Sequence, residues 1–217
     1  MLLCFIADAN GHNLARVGKP HNQRNMSMLK DSKSGYGLVT IILHWVCAPL
    51  IIFLFGLGVY MRGLDYYSPW YHRGPELHIA LGLLVFVLMF LRLLWRKGSK
   101  DPDAISTISK SNLLAAKIVK VLLYVCVFII CLSGYFITTA EGAGASFFEI
   151  FSVPATVELS AKNVDLMGAI HKYCAWGLMG IVILHAAAAL FHHFIKRDKT
   201  LVRMLKPATL TPTDTTD

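Results

Sequence analysis

Four histidines lie inside or at the edges of strongly apolar runs: His44, His78, His171 and His185. Ionisable side chains are costly at membrane depth, so their presence in such runs indicates a functional site. A neutral imidazole is a common ligand of transition metals and can also relay protons. Because a single histidine of this kind is more typical of a hydrogen bond between helices, the spacing of the four decides between these interpretations.

His171 and His185 share one apolar run and are fourteen residues apart. At about 100° per residue, fourteen residues return a helix to nearly the same face, and at 1.5 Å per residue they span about 21 Å. One helix face therefore carries imidazoles at two depths. This spacing favours two stacked cofactors over isolated hydrogen bonds.

The other two histidines lie at matching depths on other apolar runs. His44 lies a few turns into the first run, near the level of His185 if consecutive spans run in opposite directions. His78 lies in the opening turns of the second run, where His171 enters the fourth. We predict an inner pair, His44 with His185, and an outer pair, His78 with His171. Two imidazoles complete the coordination of a haem iron in a form suited to electron transfer.

The elements that position these histidines are predicted to be membrane-spanning helices. With 55% hydrophobic and 16% charged residues, the composition is not that of a soluble domain. A bilayer core needs about 20 mostly apolar residues, and four segments approach or meet that length. They are roughly 37–61, 75–95, 118–140 and 166–195. We predict an all-α integral membrane four-helix bundle with up-down-up-down topology, in which Arg92 and Arg96 extend from the second span to the membrane interface.

The distribution of charge predicts the orientation. Basic residues outnumber acidic ones in the N-terminal segment, in the 92–120 stretch and in the C-terminal tail, whereas acidic residues prevail in the 140–167 loop. The positive-inside rule then places both termini in the cytoplasm. These basic clusters adjoin apolar runs and follow no nucleic-acid-binding motif, so lipid is the expected partner and nucleic acid is not.

Three regions are predicted along the chain. Residues 1–34 form a polar segment that is expected to be disordered, with a native start at Met26 or Met28. Residues 35–207 form the four-span domain, and 208–217 a flexible tail. Within the 140–167 loop, the string GAGASFFEIFSVP is expected to lie on the membrane surface as a short helix.

His192 follows His185 by seven residues, on nearly the same helix face, beside His193, Lys196 and Arg197. It is a candidate to hydrogen-bond a quinone carbonyl near the inner pair. Equally, the string HHFIKR is typical of a solvated helix end whose positive charges meet anionic lipid and the helix dipole. The residues alone leave both interpretations open.

Several strings resemble the bacterial cytochrome b561 family, whose relatives include the cytochrome b subunits of nickel-iron hydrogenases. The similarity covers roughly residues 35–207, and the fourth-span string is the most specific. The strings are YGLVTIILHW, ELHIALG, FLRLLWR, LSGYFITTAEG and HKYCAWGLMGIVILHAAAALFHH.

The resemblance implies two haems b, one held by His44 and His185 and the other by His78 and His171. It implies a protein of the bacterial inner membrane that passes electrons between a donor on the outer face and ubiquinone or another quinone, with His192 near the quinone. Some members look like superoxide-oxidising, ubiquinone-reducing enzymes, so whether this chain is an enzyme in its own right stays open.

Two other functional classes compete with this one. The second is a membrane-anchoring cytochrome b subunit of a periplasmic dehydrogenase or hydrogenase complex, and the third is a small transporter or sensor whose histidines relay protons or bind a transition metal. Two departures bear on the choice. Lys117 and Lys120 occur where relatives often have a histidine before the third span, and the outer loops are predominantly acidic, which disfavours attraction of a superoxide anion.

Overall fold

The computed structural model describes residues 28–105 and 108–208. The predictions for residues 1–27 and 209–217, including disorder, a start at Met26 and a flexible tail, lie outside the described residues. Within the described residues, four helices are long and apolar enough to cross a membrane, which confirms the predicted four spans. They are α1 (Leu38–Met61), α2 (Trp70–Lys97), α3 (Lys110–Thr138) and α4 (Ala161–Phe191). A π-helical turn (His192–Lys196) continues α4, and a short 3₁₀ turn (Val202–Met204) follows.

Three helices begin earlier than their predicted apolar runs, and α4 does so at Ala161 rather than at residue 166. Helix α2 starts at Trp70 and includes Pro75 near its beginning, where few intrahelical hydrogen bonds are lost. Helix α3 starts at Lys110, because the hydroxyl of Ser109 caps it by accepting the Asn112 N–H at 3.3 Å. The hydropathy of the sequence marks only the part of each helix that matches the bilayer core.

The predicted surface helix in the 140–167 loop is wrong, because this string forms a β-hairpin and the fold is mainly rather than wholly helical. Strands β1 (Ala145–Phe147) and β2 (Phe151–Val153) pair antiparallel, with Ala145 opposite Val153. Phe148 and Glu149 have φ values of 49° and 59°, the left-handed backbone of a tight hairpin turn. Phe147 stacks on Phe151 across the pair at 5.0 Å between ring centroids.

The helices pack mainly in sequence order, α1 on α2, α2 on α3 and α3 on α4. Helix α4 makes few direct contacts with α1 and fewer still with α2. The buried core lies at mid-height of the bundle, because Leu178 is halfway along α4 between His171 and His185. The residues packed with Leu178 are Cys47, Val85, Met89 and Val127.

The polar segments at one end of the bundle bind each other. We call residues 28–37, 101–103 and 199–208 the terminal cap. The backbone N–H of Asp103 donates to the Lys33 carbonyl at 2.9 Å, and the Arg203 guanidinium donates to the Asp103 carbonyl at 2.7 Å. The Ala208 N–H donates to the carbonyl of Tyr36 at 2.9 Å. Segments that are distant in sequence are thereby joined.

Asp31 is the buried centre of the first part of this cap. Its carboxylate accepts the backbone N–H of Gly37 at 2.7 Å and the hydroxyl of Thr40 at 3.0 Å. The guanidinium of Arg96 lies 3.8 Å away. These contacts fix the start of α1, whose N-cap residue Gly37 has no side chain of its own to do so.

We expect Asp31→Ala to lower the free energy of unfolding by about 2 kcal/mol, because two buried donors lose their acceptor. The matched control is Asp101→Ala, which removes an exposed partner of the same Arg96 and is expected to cost less than about 1 kcal/mol. Denaturation of both variants in detergent, followed by circular dichroism, measures the difference. Equal losses of stability in the two variants would contradict this assignment.

Candidate functional site

The predicted histidine pairs come together in the fold. In the inner pair, the ring centroids of His44 on α1 and His185 on α4 are 6.4 Å apart, with an interplanar angle of 75°. In the outer pair, the centroids of His78 on α2 and His171 on α4 are 6.2 Å apart, at 62°. Both members contributed by α4 lie on the same face, as the fourteen-residue spacing predicts.

The separation within each pair matches that of two ligands on one metal ion. Metal–imidazole bonds are about 2.0 Å long and the bonded nitrogen lies about 1.1 Å from the ring centroid, so two opposed ligands place their centroids about 6.2 Å apart. Because α4 makes few direct contacts with α1 or α2, the imidazoles rather than the backbones approach each other at both levels.

The surroundings of His171 select its coordinating nitrogen. Its Nδ1 lies 2.9 Å from the carbonyl oxygen of Ile130 and 3.3 Å from the hydroxyl of Ser133, both on α3. A carbonyl can only accept, so Nδ1 carries the proton and Nε2 keeps the lone pair that a metal needs. Across the pair, the Nδ1 atom of His78 is buried without a hydrogen-bond partner in the described part of the chain.

Two glycines let the helices approach the outer pair. A Cβ atom at Gly134 on α3 would lie 3.0 Å from Cε1 of His171, and one at Gly58 on α1 would lie 3.3 Å from Cε1 of His78. Both distances are shorter than ordinary van der Waals contact, so a side chain here would displace an imidazole. These contacts join different helices, so the sequence does not show which histidine each glycine lies against.

The inner pair has a cationic neighbour that the sequence analysis missed. Arg92 does not extend to the membrane interface as predicted, because its Nη2 atom lies 3.1 Å from Nδ1 of His44. Trp45 packs edge-on against His44 with 5.4 Å between ring centroids. The indole N–H of Trp45 donates to the Met204 carbonyl at 2.7 Å, which ties the inner pair to the terminal cap.

His192 lies at the end of the fourth span, where the helix widens into the π-helical turn. Its Nδ1 atom is 2.5 Å from a carboxylate oxygen of Asp198, and the other oxygen accepts the Thr200 N–H at 2.8 Å. Burial raises the pKa of Asp198, but the hydrogen bonds from Thr200 and His192 outweigh it and hold that pKa below its usual value. The carboxylate partner argues against a freely solvated helix end, and Asp198 was not predicted from the sequence.

The donor set fits a haem better than a bare metal ion. Within residues 28–105 and 108–208, no group of three or more His, Cys, Asp or Glu side chains is placed to hold a metal. A bare ion usually needs at least three such ligands, whereas haem iron takes four nitrogens from the porphyrin and only axial ligands from the protein. Two imidazoles at each level satisfy that requirement.

Fold and site together define a multi-pass membrane protein whose paired imidazoles suit an iron porphyrin. The sequence profile of the prokaryotic cytochrome b561 family matches residues 35–207. The chain belongs to this family, and it is therefore a membrane electron-transfer protein for which the family implies b-type haem.

Three relatives are similar to this chain over most of its length. The cytochrome b561 homolog 2 of Escherichia coli K12 is 40% identical over 170 residues, which cover 78% of this chain and 90% of the relative. The cytochrome b561 homolog 1 of the same organism is 29% identical, over 76% of this chain and 93% of the relative. The probable superoxide oxidase CybB of Yersinia pestis is 26% identical, over 78% and 95%.

We expect Gly134→Ala to release haem about tenfold faster than the unsubstituted protein, because the new methyl group displaces His171 at a cost of about 1.4 kcal/mol. Transfer of haem from the detergent-solubilised protein to apomyoglobin measures the rate. Gly168→Ala is the control, since a Cβ there touches nothing within 4 Å and the change in helix propensity is the same. Identical release from the two variants would show that Gly134 does not determine the position of the histidine.

Proposed function

We propose that the chain is a di-haem electron-transfer protein in which the inner pair and the outer pair are the axial ligands of two haems b. One observation carries the proposal: two imidazole pairs, 6.4 and 6.2 Å between centroids, at two levels of the same helix. Each separation equals the span of two metal–imidazole bonds to within a few tenths of an ångström. The contacts of Ile130 and Gly134 with His171 support the assignment of the outer pair.

A haem held at each level would supply a one-electron couple, and the protein determines what that couple can do. Two imidazoles would hold each haem iron, which favours electron transfer over the binding of oxygen. The levels are about 21 Å apart along α4, so the two sites together cover most of a bilayer core. This arrangement suits passage of electrons across the membrane.

The quinone is proposed to bind at the end that carries His192. The Asp198 carboxylate at Nδ1 fixes the orientation of the imidazole and leaves Nε2 as the nitrogen that can hydrogen-bond a quinone. Reduction of a quinone to a quinol takes up two electrons and two protons, and His192 with Asp198 provides a route for protons from the terminal cap. With the His192 end in the cytoplasm of a bacterium, both termini lie there too, in accord with the basic residues at this end.

The donor is assigned to the opposite, outer face. Superoxide is one candidate, because a relative that is 26% identical bears the name probable superoxide oxidase. The acidic residues that predominate in the outer loops favour instead a cationic or neutral donor, such as a small redox protein. The donor class does not affect the ligand assignment.

We expect the purified protein to contain about two haems, and His185→Ala and His78→Ala to contain about one each, because each removes one axial ligand. Haem quantification with a reduced-minus-oxidised spectrum measures this. His72→Ala is the control, since His72 lies in the first turn of α2, packs against Tyr71 with 5.1 Å between centroids, and belongs to neither pair. Unchanged haem content in the first two variants would disprove the assignment.

We expect His192→Ala to retain both haems but to slow their reoxidation by a soluble ubiquinone analogue at least tenfold, because the quinone loses a hydrogen-bond partner. Stopped-flow spectroscopy of the reduced protein measures the rate. His193→Ala, which changes the adjacent histidine, is expected to reoxidise at the original rate. If both variants reoxidise at that rate, His192 has no part in quinone reduction.

A further inference from the structure

Arg92 is a cation held inside the bundle at the level of the inner pair. Its guanidinium carbon lies 5.8 Å from the ring centroid of Tyr124 on α3, and its Nη2 atom lies 3.1 Å from Nδ1 of His44 on α1. Its Nε atom is buried and has no hydrogen-bond partner among the described residues. The side chain is thus fixed between two helices beside one of the proposed ligands.

The charge of Arg92 has no acidic partner in the part of the chain that the structure describes. Arg96, one turn further along α2, behaves differently, because it pairs with both Asp31 and Asp101. Arg92 is partly buried, and a charge that is retained at membrane depth without a counter-ion indicates a functional role. Arg92 therefore requires an explanation that Arg96 does not.

The outer pair has the opposite surroundings. His171 donates its Nδ1–H to the Ile130 carbonyl, which makes the imidazole a stronger electron donor to a metal. Among the described residues no cationic side chain hydrogen-bonds either member of the outer pair. An electron-rich ligand stabilises oxidised iron, whereas a nearby positive charge stabilises reduced iron. Both differences therefore raise the midpoint potential expected at the inner pair relative to that at the outer pair.

From this contrast we propose that Arg92 holds the inner haem at a higher midpoint potential than the outer haem, and so directs electrons from the outer face inward. The inference rests on the proposed two-haem function. In this step one electron leaves the outer iron, which is oxidised from Fe(II) to Fe(III), and reduces the inner iron from Fe(III) to Fe(II). When Nε2 of His44 bonds iron, Nδ1 carries the proton and no longer accepts from Arg92, but the cation–π contact with Tyr124 keeps the guanidinium at this level.

The test is a redox titration of the detergent-purified holoprotein and of Arg92→Gln, followed in the haem absorption bands. We expect Arg92→Gln to keep both haems and to lower only the higher of the two potentials. The expected change is at least tenfold in the equilibrium constant between the haems, which is about 59 mV for a one-electron couple. Arg92→Lys, which keeps the charge, and Arg96→Gln, which removes a paired charge, are expected to retain the original difference.

A second measurement keeps the proposal testable if Arg92→Gln loses the inner haem. His78→Ala retains the inner haem and His185→Ala the outer one, so their single potentials give the order directly, and the inner one is expected to be higher. The reverse order, or unchanged potentials in Arg92→Gln with both haems bound, would overturn the role of Arg92. A haem content below two in the unsubstituted protein would instead refute the proposed function.

Discussion

An imidazole inside a membrane has two nitrogens to satisfy and little water to satisfy them. In each pair, the Nδ1 atom of one histidine contacts another helix, whereas that of His78 is buried without a hydrogen-bond partner among the described residues. For His171 that contact is a carbonyl of α3, and for His44 it is the guanidinium of Arg92 on α2. Helix α4 makes few direct contacts with α1 and α2, so the imidazoles rather than the helix backbones meet at both levels.

Helix α3 carries none of the paired histidines, yet it determines the surroundings of both levels. Near its end, Ile130, Ser133 and Gly134 surround His171. Near its middle, Tyr124 packs against Arg92. Between these levels lies the apolar core around Leu178, and in such a region of low dielectric constant a charge acts over a longer distance than in water. Two chemically similar histidine pairs therefore lie in different electrostatic environments.

The sequence predicts the four spans and both histidine pairs because each depends on local properties. Span length follows from hydropathy, and the two levels follow from the rise of a single helix between His171 and His185. Hydropathy does not predict the polar first turns of α3, because their helicity depends on the cap provided by Ser109. Hydropathy does not predict the hairpin either, because the pairing of Phe147 with Phe151 requires a backbone turn that an apolar string does not reveal. The contacts of Gly134, Arg92 and Asp198 connect separate elements or depend on a local turn, and only coordinates bring them together.

The terminal cap bears on how the molecule is made. Its hydrogen bonds join Tyr36 to Ala208 and Asp103 to Arg203, so the start of the first helix is bound to a segment that is synthesised after the fourth helix. The four helices can enter the bilayer one after another, but the contact of Trp45 with Met204 forms only after the segment that follows α4 has been synthesised. The surroundings of the inner histidine pair are therefore completed later during translation than the helices themselves.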